Sequence, residues 1–206
     1  TDAETMSIVT FEISEAGTYY IGANSGGFQL YSACWIYEEE KPETIEVVKE
    51  FKGSDIAEST VARGTSFLDG LFTLYGKVDG SAMSVSSCNV TDGKNTYTKT
   101  IKLTGGKAAA STTEADLANL IKIVASKAGT IRLVASQKNA TSASQEVFLK
   151  LFGADAIEIS TSTVSLSATD AEAMSIVTFE ISEAGTYYVG ANSGGFQLYS
   201  ACWITR

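Results

Sequence analysis

The sequence contains no histidine, and this absence removes several kinds of chemistry at once. Ser-His-Asp and Cys-His nucleophiles need an imidazole base, and many protein metal centres need an imidazole ligand. No pair of carboxylates stands out for acid–base catalysis either. We therefore predict that the protein is not an enzyme and that it uses no cofactor and no metal.

Positive charge and long apolar runs are also scarce. The chain has 206 residues, with 15 Lys and Arg against 24 Asp and Glu, for a net charge of −9. Binding to a phosphate backbone needs clustered cations, so we predict no nucleic-acid partner. No run approaches the roughly 18 to 20 apolar residues of a membrane helix, so no membrane span is predicted. The first residues, Thr1 to Val9, lack a Met, a basic region and an apolar region, so we expect a mature or excised segment.

Cysteine is the third scarce residue, with Cys34, Cys88 and Cys202 in no Cys-x-x-Cys spacing. Cys34 and Cys202 are copies of one position in a repeated segment. Two alternatives stay open for an intact unit: a Cys88–Cys202 disulfide in a secreted chain, or two buried thiols.

The repeated segment defines the organisation of the chain. Residues 1–36 and 169–204 align at an offset of 168 and differ only at Thr5/Ala173 and Ile21/Val189. Such a segment is a duplicated piece of a larger repeating unit. After the first copy come three glutamates and the only proline, which indicate a solvated linker. We predict the C-terminal strands of a preceding repeat at 1–36, an acidic linker at 37–43 and a complete domain at 44–206.

The apolar pattern throughout the domain is typical of strands. Residues 177–181 alternate apolar and polar side chains, and short β-rich runs at 71–75, 97–103, 130–135 and 146–152 end in Gly, Ser, Asn or Asp. Strands at this spacing predict an all-β antiparallel β-sandwich, or jelly roll. A helix-cap pattern at 113–119 predicts one short helical turn before a strand at 121–125.

The unit from 47 to 204 resembles the jelly-roll modules appended to secreted pectate lyases and pectin esterases of gut and rumen bacteria. The residues that carry the resemblance are an opening strand at 48–51, the run at 70–76, Asp92-Gly93 with the strand at 97–106, and the runs at 129–135, 184–189 and 195–199. The resemblance implies a noncatalytic, carbohydrate-binding-like module for plant cell-wall (pectic) polysaccharide, outside the cell or on its surface. The alternative function is a structural repeat of an extracellular bacterial stalk, adhesin or filament.

The candidate ligand-binding residues lie mainly on the last predicted strand. Gln197, Tyr199 and Trp203 alternate with Phe196, Leu198, Cys202 and Ile204, so we expect the two groups on opposite faces. Exposed Tyr199 and Trp203 would stack on sugar rings, and the Gln197 amide would bind hydroxyls.

Two further residues complete the predicted ligand-binding set. Tyr188 belongs to the preceding predicted strand, and Arg132 would clamp a uronate carboxylate with two hydrogen bonds. The alternative is that both faces of the last strand are covered. The same aromatic pair recurs as Tyr31 and Trp35, and a recurring stripe suits a packed interface as well as a ligand.

Two other residue types have weaker interpretations. Asp69, Asp79, Asp92 and Asp155 lie in or beside predicted turns; we interpret them as turn-forming carboxylates, with calcium ligation as the alternative. Asn89 and Asn139 begin glycosylation sequons.

The first copy repeats an apolar face that has no local partner. Six residues of this face are copies of Val177, Phe179, Ile181, Phe196, Leu198 and Cys202, namely Val9, Phe11, Ile13, Phe28, Leu30 and Cys34. Leaving large apolar side chains in water costs about 1.5 to 3 kcal/mol each. We therefore predict that 1–36 forms ordered strands covered by a neighbouring copy of the protein in a head-to-tail contact.

Overall fold

The computed structural model describes residues 7–13, 15, 17–27, 29–30, 32–34, 47–104, 106–138, 146–167 and 174–205. The chain divides into two compact units, Thr1–Pro42 and Glu43–Arg206, and each is described by itself. The predicted linker at 37–43 lies outside the described residues, as do Phe28, Tyr31, Trp35 and the sequon at Asn139.

The second unit is built almost entirely from strands. They are β1 (Val47–Lys52), β2 (Thr60–Val61), β3 (Thr65–Phe67), β4 (Phe72–Tyr75), β5 (Met83–Thr91), β6 (Thr96–Leu103), β7 (Leu120–Ala125), β8 (Gly129–Gln137), β9 (Phe148–Phe152), β10 (Glu158–Ser165), β11 (Ser175–Ile181), β12 (Gly185–Ala191) and β13 (Phe196–Thr205). Two 3-10 helices, Gly53–Asp55 and Glu114–Asp116, interrupt them, and the second lies within the predicted helical turn.

The strands form two antiparallel sheets, so the predicted all-β sandwich is confirmed. The larger sheet has the order β11-β8-β13-β6-β5-β2, and β1 also pairs with β13. The smaller sheet has the order β10-β9-β12-β7-β4-β3. The described residues contain no helix that is long and apolar enough to cross a bilayer.

The core lies between the two sheets. The smaller sheet contributes Phe72, Leu74, Ile121, Ile123 and Val189, and none of them is exposed. The larger sheet contributes buried apolar side chains from the opposite side. Those of β8 and β13 include Ile131, Leu133, Phe196, Leu198 and Trp203. Each such side chain stabilises the fold by about 1.5 to 3 kcal/mol through removal of apolar surface from water.

The last two strands, β12 and β13, hold central places in this sandwich. β12 pairs with both β7 and β9 in the smaller sheet. β13 pairs with β8 along one side, and with β6 and then β1 along the other. Together with the edge strand β11, β12 and β13 complete the two sheets. We call residues 175–205 the closing segment.

The predicted faces of β13 hold through Tyr199 and are wrong from Ser200 onward. The pairing of β13 with β8 shifts register between Leu198 and Ser200, which is a β-bulge. A bulge reverses the alternation of the residues that follow it. Trp203 therefore joins Phe196 and Leu198 in the core, whereas Cys202 lies opposite Arg132 on the outer face.

The first unit is exposed where it is described. Between residues 7 and 34 the described residues include no strand, and the exposed fractions of Ile8, Val9, Phe11 and Leu30 are 96%, 69%, 62% and 67%. The assignment of 1–36 to the C-terminal strands of a preceding repeat stays a prediction, and so does the covering of this first copy by a neighbouring copy of the protein.

The three cysteines are free thiols, so the disulfide alternative is not formed. Cys34 is exposed, Cys88 is half-buried and Cys202 is buried. Burial raises the pKa of Cys202 to about 11, and the neighbouring Glu50 carboxylate acts in the same direction. Cys202 is accordingly an inert thiol as long as the sandwich is folded.

Candidate functional site

The five predicted ligand-binding residues do not meet at one place. Trp203 lies in the core, with 4% of its surface exposed at the rim of an open depression that Lys49, Asp69 and Lys127 also line. Tyr188 lies on the outer face of the smaller sheet. Its side chain belongs to a separate apolar cluster.

Gln197, Tyr199 and Arg132 belong to the larger sheet and are engaged there. The Gln197 amide donates to the Gln137 carbonyl at 3.3 Å. Tyr199 packs in a cluster with Val90, Tyr97 and Val134, its ring centroid 6.1 Å from that of Tyr97. Its hydroxyl lies 3.0 Å from that of Ser136. These contacts favour the covered-face alternative for Gln197 and Tyr199.

Arg132 lies beside Cys202 on the same outer face. The β1–β13–β8 register places Glu50, Cys202 and Arg132 directly across from one another. The Oε1 of Glu50 and the Nε of Arg132 are buried without a hydrogen-bond partner among the described residues. In this register Cys202 lies between Arg132 and Glu50.

Three of the four turn aspartates, Asp79, Asp92 and Asp155, accept hydrogen bonds from backbone N–H groups two or three residues further on. Asp92 accepts hydrogen bonds from the backbone N–H of Lys94 and Asn95 and from the Tyr97 hydroxyl. Desolvation acts to raise the pKa of Asp92, but these hydrogen bonds hold it far below its usual range. Among the described residues, no group of three His, Cys, Asp or Glu side chains is placed to hold a metal ion.

The outer face of the smaller sheet carries a different, continuous arrangement. Pairing registers place one residue from each of six strands in a single line, which we call the cross-sheet row. Its members, in order across the sheet, are Glu158, Phe152, Tyr188, Lys122, Thr73 and Ser66. At the usual strand spacing the row is about 24 Å long.

The alternation of each strand explains why these side chains face outward. In β9, half-buried Phe148, Lys150 and Phe152 alternate with buried Leu149 and Leu151. In the same way, Tyr188 follows Tyr187 and precedes Val189, both of which belong to the core.

The aromatic pair at the middle of the row is supported from one side. Tyr188 packs with Tyr75, Leu117 and Leu120, and Phe152 packs against this cluster. This support comes from residues 106–119, which we call the wall segment. It packs closely on the sheet: a β-carbon on Gly190 would lie 2.4 Å from that of Ala108.

Hydrogen bonds of Arg63 and Glu114 connect the wall segment to the smaller sheet. The Arg63 guanidinium donates to the carbonyls of Glu114, Ala115 and Leu117 at 2.8 to 3.0 Å. It also lies 4.9 Å from the centroid of the Tyr75 ring. The Tyr75 hydroxyl donates to Glu114, and this bond, with nearby Lys122, lowers the pKa of the Glu114 carboxyl.

Charged groups flank the aromatic pair on both sides. Lys150 Nζ lies 2.6 Å from Glu158, and Lys122 Nζ lies 3.7 Å from Glu114. The hydrogen bond from Lys150 lowers the pKa of Glu158, with a further contribution from Thr161. Desolvation raises the pKa of Tyr188, and the Glu114 charge adds to that shift. Near neutral pH Glu114 and Glu158 are therefore carboxylates, and the Tyr188 phenol is neutral.

An arrangement of this kind can bind a ligand that carries many hydroxyl groups. Half-buried Phe152 offers an apolar surface for the C–H face of a sugar ring, and the flanking groups can hydrogen-bond hydroxyls. Tyr188 is only 6% exposed and belongs to the cluster that Phe152 packs against. Of the row, the sequence analysis identified Tyr188 only. The alternation at 148–152 was the available signal for Phe152.

Comparisons with known proteins are limited. No family model matches the chain, and no curated protein matches it. Among solved structures, it is similar to a Ruminococcus flavefaciens cellulosome chain described in terms of an expansion in glycan recognition, with 18% identity and a TM-score of 0.40. The match covers 79% of this chain and 95% of that one.

Two further likenesses cover about a third of longer chains. The CBM51-2 and INT domains of Clostridium perfringens ZmpB, in complex with GlcNAc, give 13% identity and a TM-score of 0.35 over 76% of this chain and 32% of that chain. An Arthrobacter globiformis isomalto-dextranase complexed with panose gives 13% identity and a TM-score of 0.32, over 78% and 33%. Likenesses of this degree assign neither a ligand nor a role to this chain.

Proposed function

We propose that this chain is a noncatalytic carbohydrate-binding module that acts outside the cell or on its surface, with pectic polysaccharide of plant cell walls as its ligand. The observation that carries the proposal is the cross-sheet row, in which Phe152 and Tyr188 lie side by side between Glu158 and Lys122. A second lysine, Lys150, lies two residues from Phe152 on β9. The binding surface is therefore the outer face of the smaller sheet, in place of the β13 stripe that the sequence analysis favoured.

The shape of the row supports a polymer ligand. Residues in direct register across an antiparallel sheet lie in a line, and a line of about 24 Å accommodates several consecutive sugar rings. Phe152 supplies the apolar contact with Tyr188 packed beside it, while Thr73 and Ser66 continue the row with hydroxyl groups that share a 2.8 Å hydrogen bond.

The two lysines support an acidic polysaccharide over a neutral one. Lys122 and Lys150 would pair with uronate carboxylates, in competition with Glu114 and Glu158. Because the whole chain carries a net charge of −9, attraction to a polyanion depends on these local groups.

The test is a binding titration of the full chain with oligogalacturonate, with xylan-derived oligosaccharide as the neutral comparison. Phe152→Ala should weaken binding roughly fivefold, since a stacked aromatic contributes about 1 kcal/mol. The matched control is Ile176→Ala, which removes an apolar side chain of 43% exposure from the other sheet.

Two results would contradict the proposal. Equal loss in both variants would mean that the effect is general, and unchanged binding in Phe152→Ala would place the ligand elsewhere. Lys122→Gln tests the claim that the ligand is acidic. It should weaken binding of oligogalacturonate and leave binding of the neutral oligosaccharide unchanged.

A second candidate function is a structural repeat of an extracellular bacterial stalk, adhesin or filament. The exposed apolar side chains of the first copy favour it, since Ile8, Val9, Phe11 and Leu30 are each more than half exposed and available for contact with another molecule. Electron microscopy of the concentrated protein should then show head-to-tail assemblies. Removal of residues 1–42 should abolish them.

A further inference from the structure

The closing segment inserts many side chains into the sandwich. Its buried residues include Val177, Phe179 and Ile181 of β11, Val189 of β12, and Leu198 of β13. Their backbones pair with five other strands, β1, β6, β7, β8 and β9. The rest of the sandwich, residues 47–167, is the body that accepts this segment.

The first copy supplies the same side chains in the same order. Val9, Phe11 and Leu30 correspond to Val177, Phe179 and Leu198, which are 1%, 5% and 0% exposed in the sandwich. Between residues 7 and 34 the described residues differ from their counterparts only at Ile21, where Val189 has one methylene fewer. The apolar face of the first copy therefore matches the body that the closing segment fills.

Two glycines extend this match to the backbone. A β-carbon on Gly190 would lie 2.4 Å from that of Ala108, and one on Gly195 would lie 2.4 Å from the carbonyl oxygen of Leu103. Their counterparts, Gly22 and Gly27, have no atom within 4 Å of a β-carbon built there. The first copy thus has glycine at both positions where the body leaves no room for a larger residue.

Two turn features of the closing segment are also present in the first copy, although Gly27 lacks the positive φ of its counterpart Gly195. The Tyr19 hydroxyl donates to the Glu15 carbonyl at 2.7 Å, as the Tyr187 hydroxyl does to Glu183 at 3.2 Å. The φ of Gly26 is +68°, and that of its counterpart Gly194 is +69°. Local structure of this kind lowers the entropic cost of forming the strands on the body.

We propose that residues 7–34 are a second, interchangeable closing segment, which a body of this sequence accepts in place of residues 175–202. The body has one set of acceptor strands, so the two copies compete for it. This inference is independent of glycan binding.

The test uses the full chain and its own cysteines. Leu198→Asp places a carboxylate at a fully buried position of β13 and so disfavours the C-terminal copy. Cys34 and Cys202 occupy the same position in the two copies, and at present the first is exposed and the second buried. Labelling with a maleimide, followed by peptide mass spectrometry, therefore reports which copy is in the sandwich.

In the unmodified chain Cys34 should react quickly and Cys202 slowly. In Leu198→Asp we expect the order to reverse, with Cys34 protected on the order of tenfold or more and a cooperative thermal transition retained. If Cys34 stays as reactive as in the unmodified chain, the proposal is wrong. Unchanged Cys34 reactivity contradicts the proposal both when the variant is unfolded and when Cys202 is still buried.

Two second-site variants give a matched comparison. Ile8 and Val9 are both exposed in the first copy, but their counterparts Ile176 and Val177 are 43% and 1% exposed in the sandwich. Added to Leu198→Asp, Val9→Asp should abolish the protection of Cys34 and the cooperative transition, whereas Ile8→Asp should preserve both. Equal effects of the two substitutions would overturn the proposal.

Discussion

Val9 and Val177 hold the same position in two nearly identical segments, yet the first is 69% exposed and the second 1%. The described residues around Val9 include no strand, whereas Val177 lies in β11 with Leu133 as its paired residue. The difference between the two copies is the presence of partner strands. A period-2 pattern states which side chains a strand would bury, but the strand forms where other backbones accept its hydrogen bonds.

The largest expected effect on stability is that of Trp203, near the end of the closing segment. We expect Trp203→Ala to destabilise residues 43–206 by about 3 to 5 kcal/mol, because the indole is packed in the core. Urea unfolding followed by circular dichroism measures the loss. A melting temperature close to that of the parent, together with lost sugar binding, would instead make Trp203 a ligand-binding residue.

A leucine pair compares the two copies directly. Leu198→Ala should cost residues 43–206 about 2 to 5 kcal/mol, since Leu198 is fully buried. Leu30→Ala, at the equivalent position in the full chain, should change the unfolding free energy by no more than about 0.5 kcal/mol. A large effect of Leu30→Ala would show that the first copy is covered in solution.

Glycine substitutions examine the close backbone approach. Gly190→Ala should destabilise the sandwich by about 1 to 3 kcal/mol, because the new methyl group would overlap Ala108 and the Asn119 carbonyl. Gly22→Ala meets open space and should leave the thermal transition where it is. Differential scanning calorimetry of the two variants gives the comparison, and equal shifts would remove the distinction.

The smallest expected effect on stability comes from position 189, where the first copy has Ile21. Val189→Ile adds one methylene at a site with no exposure, so we expect a cost of about 1 kcal/mol. Chemical denaturation of residues 43–206 measures it. A cost well above that would mean that Ile21 makes the first copy a poor closing segment.

Much of the fold could be predicted from the residues. The strands predicted at 71–75, 97–103, 121–125 and 130–135 are present within one or two residues at each end, because each combines alternation with flanking turn residues. β5 and β10 were not predicted. They are rich in Ser and Thr, and in β10 only Ser162 is buried, so neither has a clear apolar period.

Little of the candidate site could be predicted in the same way. The cross-sheet row takes single residues from six strands that are spread between Ser66 and Glu158 in the sequence. Its alignment depends on strand order and register, which no local pattern specifies. Tyr188 was predicted as a ligand residue from its aromatic character, and its neighbours in the row were not.

The sequence by itself determined the duplication, the strand periods and the glycines at the tight contacts, because each of these is a property of neighbouring residues. Only the tertiary structure decided which copy becomes strands, since that depends on which copy pairs with the body. It also decided the faces of β13. The bulge at Tyr199 arises where β13 passes from β6 to β1 as its pairing partner, and it moves Trp203 into the core and Cys202 out of it.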